Sequence, residues 1–365
     1  MMHTGERAYA YAKACGIIGK SFIGRRLKSL EEAGRLSELD RMLFPSESHN
    51  LNEKELLVDL EERITGRAVN SILSIIGCFS KPPELLVLLL RSYEYIDLKN
   101  ALITYMQGGR AAPVWTDIGR YQNVRFKKWP DIRAMIEGTE FEFLLDKKGA
   151  LYTELGSFHL HTVLDRHFYS ALWKALSLLP SGDRHIAEKI LSDEVSLRNA
   201  GWALRLRTYY WMTADEVKLH LVDIPAGGSE SLEYVVEKKK SIKVKMRSSG
   251  SGGNAISLAN DAIHSLDFPL DDFSAWSSWR WKEFINPDTG TGFWNADPMY
   301  FQNAASRYLF RLACHNFRLR PFSMDTIFCF IKIKQFEEDI LTSEAEGLGM
   351  GMTSRDTLDM LGVKI

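Results

Sequence analysis

Long apolar runs are missing from this chain. The longest, Leu85 to Leu90, is six residues, far below the roughly 18 needed to cross a bilayer, so any membrane association is expected to be peripheral. Cysteine is scarce: Cys15, Cys78, Cys314 and Cys329 stand apart, with no CxxC or other ligand spacing, which removes a sequence-encoded metal knuckle or disulfide framework. The first 30 residues lack the apolar core of a signal peptide, and a reducing, cytoplasmic setting is the expectation. An excess of one charge is absent too. Lys plus Arg total 46 against 47 Asp plus Glu, a formal charge of -1. A surface that tracks phosphates leaves a cationic surplus, so nucleic acid is not expected as the main partner, although a local basic patch is compatible with this balance. Period-2 apolar alternation is rare, Ser241 to Met246 being the most strand-like stretch. HExxH and GxSxG do not occur, which removes the helix-borne zinc site and the nucleophile elbow.

What is present is helical periodicity, 45% apolar and 25% charged residues over 365 positions, enough chain for two or three domains with ample core. The organising stretch is Leu191 to Leu221. Leu197, Ala200, Gly201 and Leu204 fall at i, i+3, i+4 and i+7, a narrow small-residue face, with Arg198, Asn199, Arg205 and Arg207 assigned to the other sides. Thr213 then reads as the cap of a second helix, with Glu216 three residues on completing a capping box. The same module stands about 99 residues earlier. Leu98, Ala101, Leu102 and Tyr105 repeat the spacing, Asp97-Leu98-Lys99-Asn100 matches Ser196-Leu197-Arg198-Asn199, and Trp115-Thr116-Asp117 offers the second start. A worn third copy closes the chain: an acidic helix around Phe336 to Glu346, a break at Gly347 to Gly351, then Met352-Thr353-Ser354-Arg355-Asp356 against Met212-Thr213-Ala214-Asp215-Glu216, with the Asn lost. An all-α chain of three similar helical repeat units is predicted, unit 1 at 1-125, unit 2 at 126-250 and unit 3 at 251-365, each burying a face it cannot cover alone.

In chain order, Tyr9 to Leu30 reads as one long N-terminal helix, followed by helices at Leu36 to Leu43, from Asn52, at Val69 to Phe79 and at Pro83 to Leu102. Short segments at Ile132 to Ile136 and Phe141 to Leu145 lead to a helix at His161 to Leu179, stopped by Pro180-Ser181-Gly182-Asp183. Pro225-Ala226-Gly227-Gly228, a basic run from Lys238 to Arg247 and the linker-like Ser248 to Gly253 mark a change of texture and the best boundary in the chain. Trp276, Trp279, Trp281, Phe293 and Trp294 lie in an aromatic-rich irregular segment, read as core before interface. Helices at Tyr300 to Phe317 and Thr326 to Glu346 follow.

Candidate chemistry weighs little against structural readings. Gly16 to Ser21 resembles the end of a phosphate loop, but Ala14 replaces the first glycine and no strand precedes it, so a helix with a small-residue face is the better reading. His159, His161, Asp165 and His167 form the one cluster resembling metal ligands; His161 and Asp165 share a helix face while His159 and His161 diverge, and they read as residues near a helix start. The GxGxG at Gly347 to Gly351 is a break between helices, since no strand leads into it. The Lys238 to Arg247 run reads as a solvated loop, with an acidic protein surface or anionic lipid headgroups as the functional alternative. No catalytic, cofactor-binding or metal site is assigned.

Several stretches, taken in order, resemble a known family: Tyr9-Ala10-Tyr11-Ala12-Lys13, Leu164-Asp165-Arg166-His167-Phe168-Tyr169, the two Asp/Ser-Leu-Lys/Arg-Asn copies, Leu204-Arg205-Leu206-Arg207, and Pro321-Phe322-Ser323 before the terminal repeat. Their order and spacing resemble the C-type subunits of the archaeal and bacterial V-type ATPases, relatives of the d-type subunits of the eukaryotic V-ATPases. The resemblance implies a non-catalytic, all-helical funnel of three units, seated peripherally on the membrane proteolipid ring and receiving the tip of the central shaft, so that it couples ATP turnover to H+ or Na+ movement. Arg205 and Arg207 are the partner-binding candidates, as a polar lining for the shaft, with an outward, solvated position as the alternative. Two readings compete: a free-standing helical-repeat adaptor for a cytoplasmic protein, and an enzyme using His159, His161 and Asp165, which predicts bound metal.

Overall fold

The computed structural model describes residues 4–46, 51–146, 148–151, 156–223, 232–237, 241–246, 257–290 and 292–362. These are mostly helical. In order come α1 (Thr4–Ile18), α2 (Leu36–Leu43), α3 (Glu53–Ile76), α4 (Glu84–Met106), α5 (Ile132–Ile136), α6 (Gly156–Ser177), α7 (His185–Tyr210) and α8 (Ala214–Lys218). A hairpin of β1 (Leu232–Glu237) and β2 (Ser241–Met246) follows, then α9 (Asn260–Ser265), α10 (Pro298–Phe317), α11 (Met324–Gly349) and α12 (Ser354–Met360). The hairpin pairs antiparallel from Leu232 opposite Met246 to Glu237 opposite Ser241, so Ser241 to Met246 is a strand, which corrects the solvated-loop reading for that part of the Lys238 to Arg247 run. Pro225 to Gly228, Lys238 to Lys240 and Arg247 to Gly253 lie outside the described residues.

Two compact units result. The first takes Met1–Pro82, Gly182–Ile190 and Met299–Ile365; the second takes Pro83–Ser181 and Leu191–Pro298. In the first, α11 is the central helix: its opening residues Met324 to Ile331 are all buried, the pattern of a helix covered on every side. Leu341, Ala345 and Leu348 of α11 share a core with Leu56, Leu60 and Ile64 of α3 and Leu36, Leu39 and Leu43 of α2. Gly347 permits the close passage of α12, because a Cβ there would lie 2.2 Å from the Thr357 hydroxyl. In the second unit, α4 packs on α6. The apolar run Leu85 to Leu90 is the fully buried start of α4.

Several elements depart from expectation: the helix start read at Trp115-Thr116-Asp117 is irregular backbone before a 3-10 turn at Gly119–Tyr121, and the helix read from His161 begins at Gly156. The N-terminal helix ends at Ile18, and a 3-10 helix at Gly24–Glu32 replaces its second half. Ser21 turns its hydroxyl back onto the Ile17 carbonyl and Gly24 adopts a φ of 56°, a left-handed step that an α-helix does not accommodate. The segment Val69 to Phe79 is not separate. It extends α3, whose buried Leu56, Leu60, Ile64, Ala68, Ile72 and Ile75 keep one stripe across the join. The glycine-rich break also begins later, since α11 runs through Gly347 to Gly349 and reverses at Gly351, φ 80°. By contrast, α3 opens at Asn52 as expected, through a capping box with Glu55, and the box expected of Thr213 with Glu216 forms.

Candidate functional site

A cluster of three charges lies in the second unit, with Lys99 and Asp165 half-buried and Arg198 at its exposed edge, and its two cations come from the two motif copies. Lys99 of α4 and Arg198 of α7 occupy the same place in Asp-Leu-Lys-Asn and Ser-Leu-Arg-Asn. Both grip one carboxylate, Asp165 of α6, each on a different oxygen. Burial pushes the Asp165 carboxyl up, but Arg198 and Lys99 outweigh it and hold it below the usual carboxylate range. Burial lowers the Lys99 amine despite the pull of Asp165. Burial also opposes the charge on Arg198, yet Asp165 and Tyr169 carry the guanidinium above its ordinary value. The Arg198 guanidinium lies 5.6 Å from the centroid of the Tyr169 ring, and the Tyr169 hydroxyl donates to Glu194 at 3.3 Å. Such a triad ties three helices at one point, and its energy depends on all three members staying charged.

The remaining residues of Leu164-Asp165-Arg166-His167-Phe168-Tyr169 also turn inward. Arg166 donates to the carbonyls of Leu219 and Leu221, at 3.1 and 2.8 Å from one nitrogen, and so closes the turn after α8. His167 Nδ1 sits 2.6 Å from the Tyr95 hydroxyl, and burial lowers its pKa to about 4. It is neutral at physiological pH, and its contact with Tyr95 joins α6 to α4. His161 is lowered first by burial and then by Lys99. The candidate ligand set His159, His161 and Asp165 is therefore divided by chemistry: its acid is committed to two cations, and no group of three metal-capable side chains occurs among the described residues.

Asn199, assigned from its spacing to an outer side of α7, is buried. This is a correction, and its reason is tertiary. The Asn199 amide donates to Val222 O (2.8 Å) and Leu258 O (3.3 Å) and accepts from Val222 N–H (2.8 Å), satisfying backbone groups on two segments that return past the helix. In α4 the corresponding Asn100 is exposed. There the latch moves to Asp97, which accepts from Thr116 N–H at 2.7 Å, and to Glu94, which accepts from Asn123 and Val124 N–H at 2.5 Å each. Burial drives both acids up, Glu94 to about 7 and Asp97 to about 6.

Of the two partner-binding candidates, Arg205 is exposed, its guanidinium 5.9 Å from the centroid of the Trp202 ring. Arg207 is half-buried and donates to Ser265 O (2.9 Å) and Phe268 O (2.7 Å) after α9. The Trp segment packs around α7: Trp281 donates its indole N–H to Ser196 (3.1 Å), Trp279 to Asp261 O (2.9 Å), and Arg280 bridges Asp193 and Asp261. Trp276, Trp279 and Trp281 are core, as read from the sequence, whereas Phe293 is fully exposed. The signal for the triad was available in the sequence as two cations 99 residues apart at one motif position. Nothing local to either copy names Asp165 as their shared partner.

The long helices end alike. α4 is followed by Gly108 at φ 74°, α7 by Trp211 at φ 49° and α11 by Gly351 at φ 80°. Thr213 and Thr353 then cap α8 and α12, accepting from the N–H of Glu216 (3.4 Å) and Asp356 (3.1 Å). Among the described residues no helix is long and apolar enough to cross a membrane.

Comparison with known proteins relates the chain to a bacterial protein and to a family profile. A protein of Treponema pallidum (strain Nichols), described as uncharacterized, is 26% identical over 355 residues, covering 97% of this chain and 96% of that one. The profile of the ATP synthase (C/AC39) subunit family matches residues 27–234, a span that holds both motif copies and the Asp165 triad. With more than half of its length matched, the chain belongs to the ATP synthase (C/AC39) subunit family.

Proposed function

We propose that this chain is the non-catalytic central-rotor subunit of a V-type ATPase. In this reading it couples the central shaft to the membrane proteolipid ring and transmits torque for ATP-linked H+ or Na+ transport. The three sequence-defined units, 1-125, 126-250 and 251-365, form a funnel, and the protein sits peripherally on the cytoplasmic face of the membrane. Family membership supplies the class. The observation that carries the mechanical part is the Asp165 triad: a coupler must resist twisting, and a carboxylate shared by Lys99 and Arg198 makes sliding of α4, α6 or α7 cost a charge pair.

The helix ends supply candidate grips. Tyr105 closes α4 at 40% exposure, Trp211 follows α7 at 85% and Met350 follows α11 at 79%. Trp211 is also held in a left-handed conformation that a bulky side chain rarely adopts. Large apolar side chains presented at helix ends suit adaptable contact with a partner. Arg205 remains the candidate for a polar contact with the shaft.

The test is a mild detergent purification of the tagged chain from its own membranes, with mass spectrometry of what co-elutes. Nucleotide-binding subunits, a shaft protein and a small proteolipid in fixed ratio are expected. Elution alone, or with unrelated proteins under conditions that keep the ATPase intact, would replace the rotor reading by a free-standing adaptor.

A further inference from the structure

The first unit contains a cavity of about 460 Å³ between the 3-10 helix Gly24–Glu32 and α10, with Phe336 of α11 on its wall. Its charge is one-sided. Arg25 and Lys28 come from the 3-10 helix, Arg307 and Arg311 from α10, and no acidic side chain lines it among the described residues. Residues i and i+3 eclipse on a 3-10 helix, and residues i and i+4 share a face on an α-helix, so each element turns two cations the same way. Among the described residues, none of the four is joined to a carboxylate.

Arg307 is fixed in place. It donates to Leu361 O at 2.8 Å and lies beneath Gly362, where φ is 60° and an added Cβ would stand 1.9 Å from the guanidinium. Only glycine leaves that cation its seat. Burial lowers the Arg307 guanidinium below its ordinary value and the charge of Arg311 lowers it further. Like charges at this spacing destabilise a helix unless something offsets them. Beside the cations the wall is aromatic: the Phe310 and Phe336 rings stack with centroids 4.1 Å apart and planes 14° apart. A pocket of this size, cationic at one part and apolar at another, matches a ligand with the same division.

We propose that this cavity binds a phosphate-bearing amphiphile, its anionic head among Arg25, Lys28, Arg307 and Arg311 and its apolar part against Phe310 and Phe336. Two sources share that chemistry, a soluble aromatic or aliphatic phosphate ester and an anionic lipid headgroup with its chain.

Calorimetric titration of the full-length protein separates them, with phenyl phosphate and dihexanoyl phosphatidylglycerol as probes and inorganic phosphate and dihexanoyl phosphatidylcholine as comparators. The expected result is saturable binding of at least one of the two anionic amphiphiles, tighter than either comparator; the tighter of the two identifies the source. Arg311→Glu and Lys28→Glu, both at exposed positions, are each expected to weaken that binding by about tenfold or more, the scale of one lost charge-assisted contact. Arg355→Glu, at an exposed cation away from the cavity, leaves it unchanged. Absence of saturable binding by both amphiphiles overturns the proposal. So does phosphatidylcholine matching phosphatidylglycerol, inorganic phosphate matching both amphiphiles, or retention of full affinity in both cavity variants.

Discussion

The two copies of one four-residue motif, Asp97-Leu98-Lys99-Asn100 in α4 and Ser196-Leu197-Arg198-Asn199 in α7, share their middle and differ at their ends. Leu98 and Leu197 are both buried, and Lys99 and Arg198 both hold Asp165. At the outer positions the roles exchange. In α4 the first residue, Asp97, is the buried latch and Asn100 is exposed; in α7 the fourth residue, Asn199, is the latch. The common middle is what a shared carboxylate requires, while the ends answer to whichever backbone returns alongside each helix. The choice of latch matters energetically. An amide satisfies donors and acceptors without charge, whereas a buried acid satisfies N–H groups but is costly to ionise.

The third long helix extends the contrast. Counted back from its cap, Thr353 against Thr213, Asp339 stands where Asn199 stands, and it is exposed. α11 buries Glu344 instead, with neither carboxyl oxygen hydrogen-bonded among the described residues. Burial raises its pKa to about 7, opposed only by Ser354, whose hydroxyl is given to Ala33 O at 2.6 Å.

The largest effect is expected from the common middle. Asp165→Ala leaves two cations around an empty position, the half-buried Lys99 and the exposed Arg198, and should cost about 2–4 kcal/mol of unfolding free energy by denaturant titration. A loss under about 1 kcal/mol, the scale of an exposed pair, would show that the triad does not join the helices. Next comes the α7 latch: Asn199→Ala strands three backbone groups and should cost on the order of 2–3 kcal/mol. Its counterpart Asn100→Ala should stay within about 0.5 kcal/mol, and equal effects at the two positions would erase the asymmetry.

Glu344 is expected to act through pH. Its folded pKa of about 7 lies above its ordinary 4.5, so the folded protein binds the proton more tightly than the unfolded chain. Its stabilising contribution is present in full below about pH 4.5 and is lost as pH rises to about 7. Glu344→Gln should therefore flatten the stability profile across that window and raise the melting temperature at about pH 8, by an amount corresponding to about 1–3 kcal/mol. An unchanged slope would mean that other groups carry the pH dependence. The smallest difference is expected between Arg205 and Arg207. Arg207→Ala loses two carbonyl partners and should cost about 1–2 kcal/mol, while Arg205→Ala at its exposed position should alter stability by less than about 0.5 kcal/mol. Loss of shaft binding in Arg205→Ala at intact stability would mark it as a partner contact.

Much of the local architecture was legible. Capping boxes at Asn52 and Thr213, the Thr353 cap, the buried start of α4 and the strand at Ser241 all follow from short-range rules that involve a few adjacent residues. Helix continuity was less so. The same small and apolar residues that read as one helix from Tyr9 to Leu30 are compatible with a turn at Ser21. The split between the two rests on partners far along the chain, Glu337 accepting from Phe22 N–H at 2.7 Å and Lys334 donating to the Ser21 hydroxyl at 3.2 Å. Partners so distant in sequence leave no mark in a local window.

The sequence by itself determined the class of the protein: helical periodicity, near-zero net charge, no long apolar run, and a motif repeated 99 residues apart. Those properties depend on composition and on neighbours within a few turns. Only the tertiary structure decided that Lys99 and Arg198 meet on Asp165, that Asn199 faces inward, and that four cations surround one cavity beside Phe310 and Phe336. The physical reason is the same in each case. A buried charge or amide is tolerable only where a distant segment delivers its partner, and which segment arrives is set by how the helices pack.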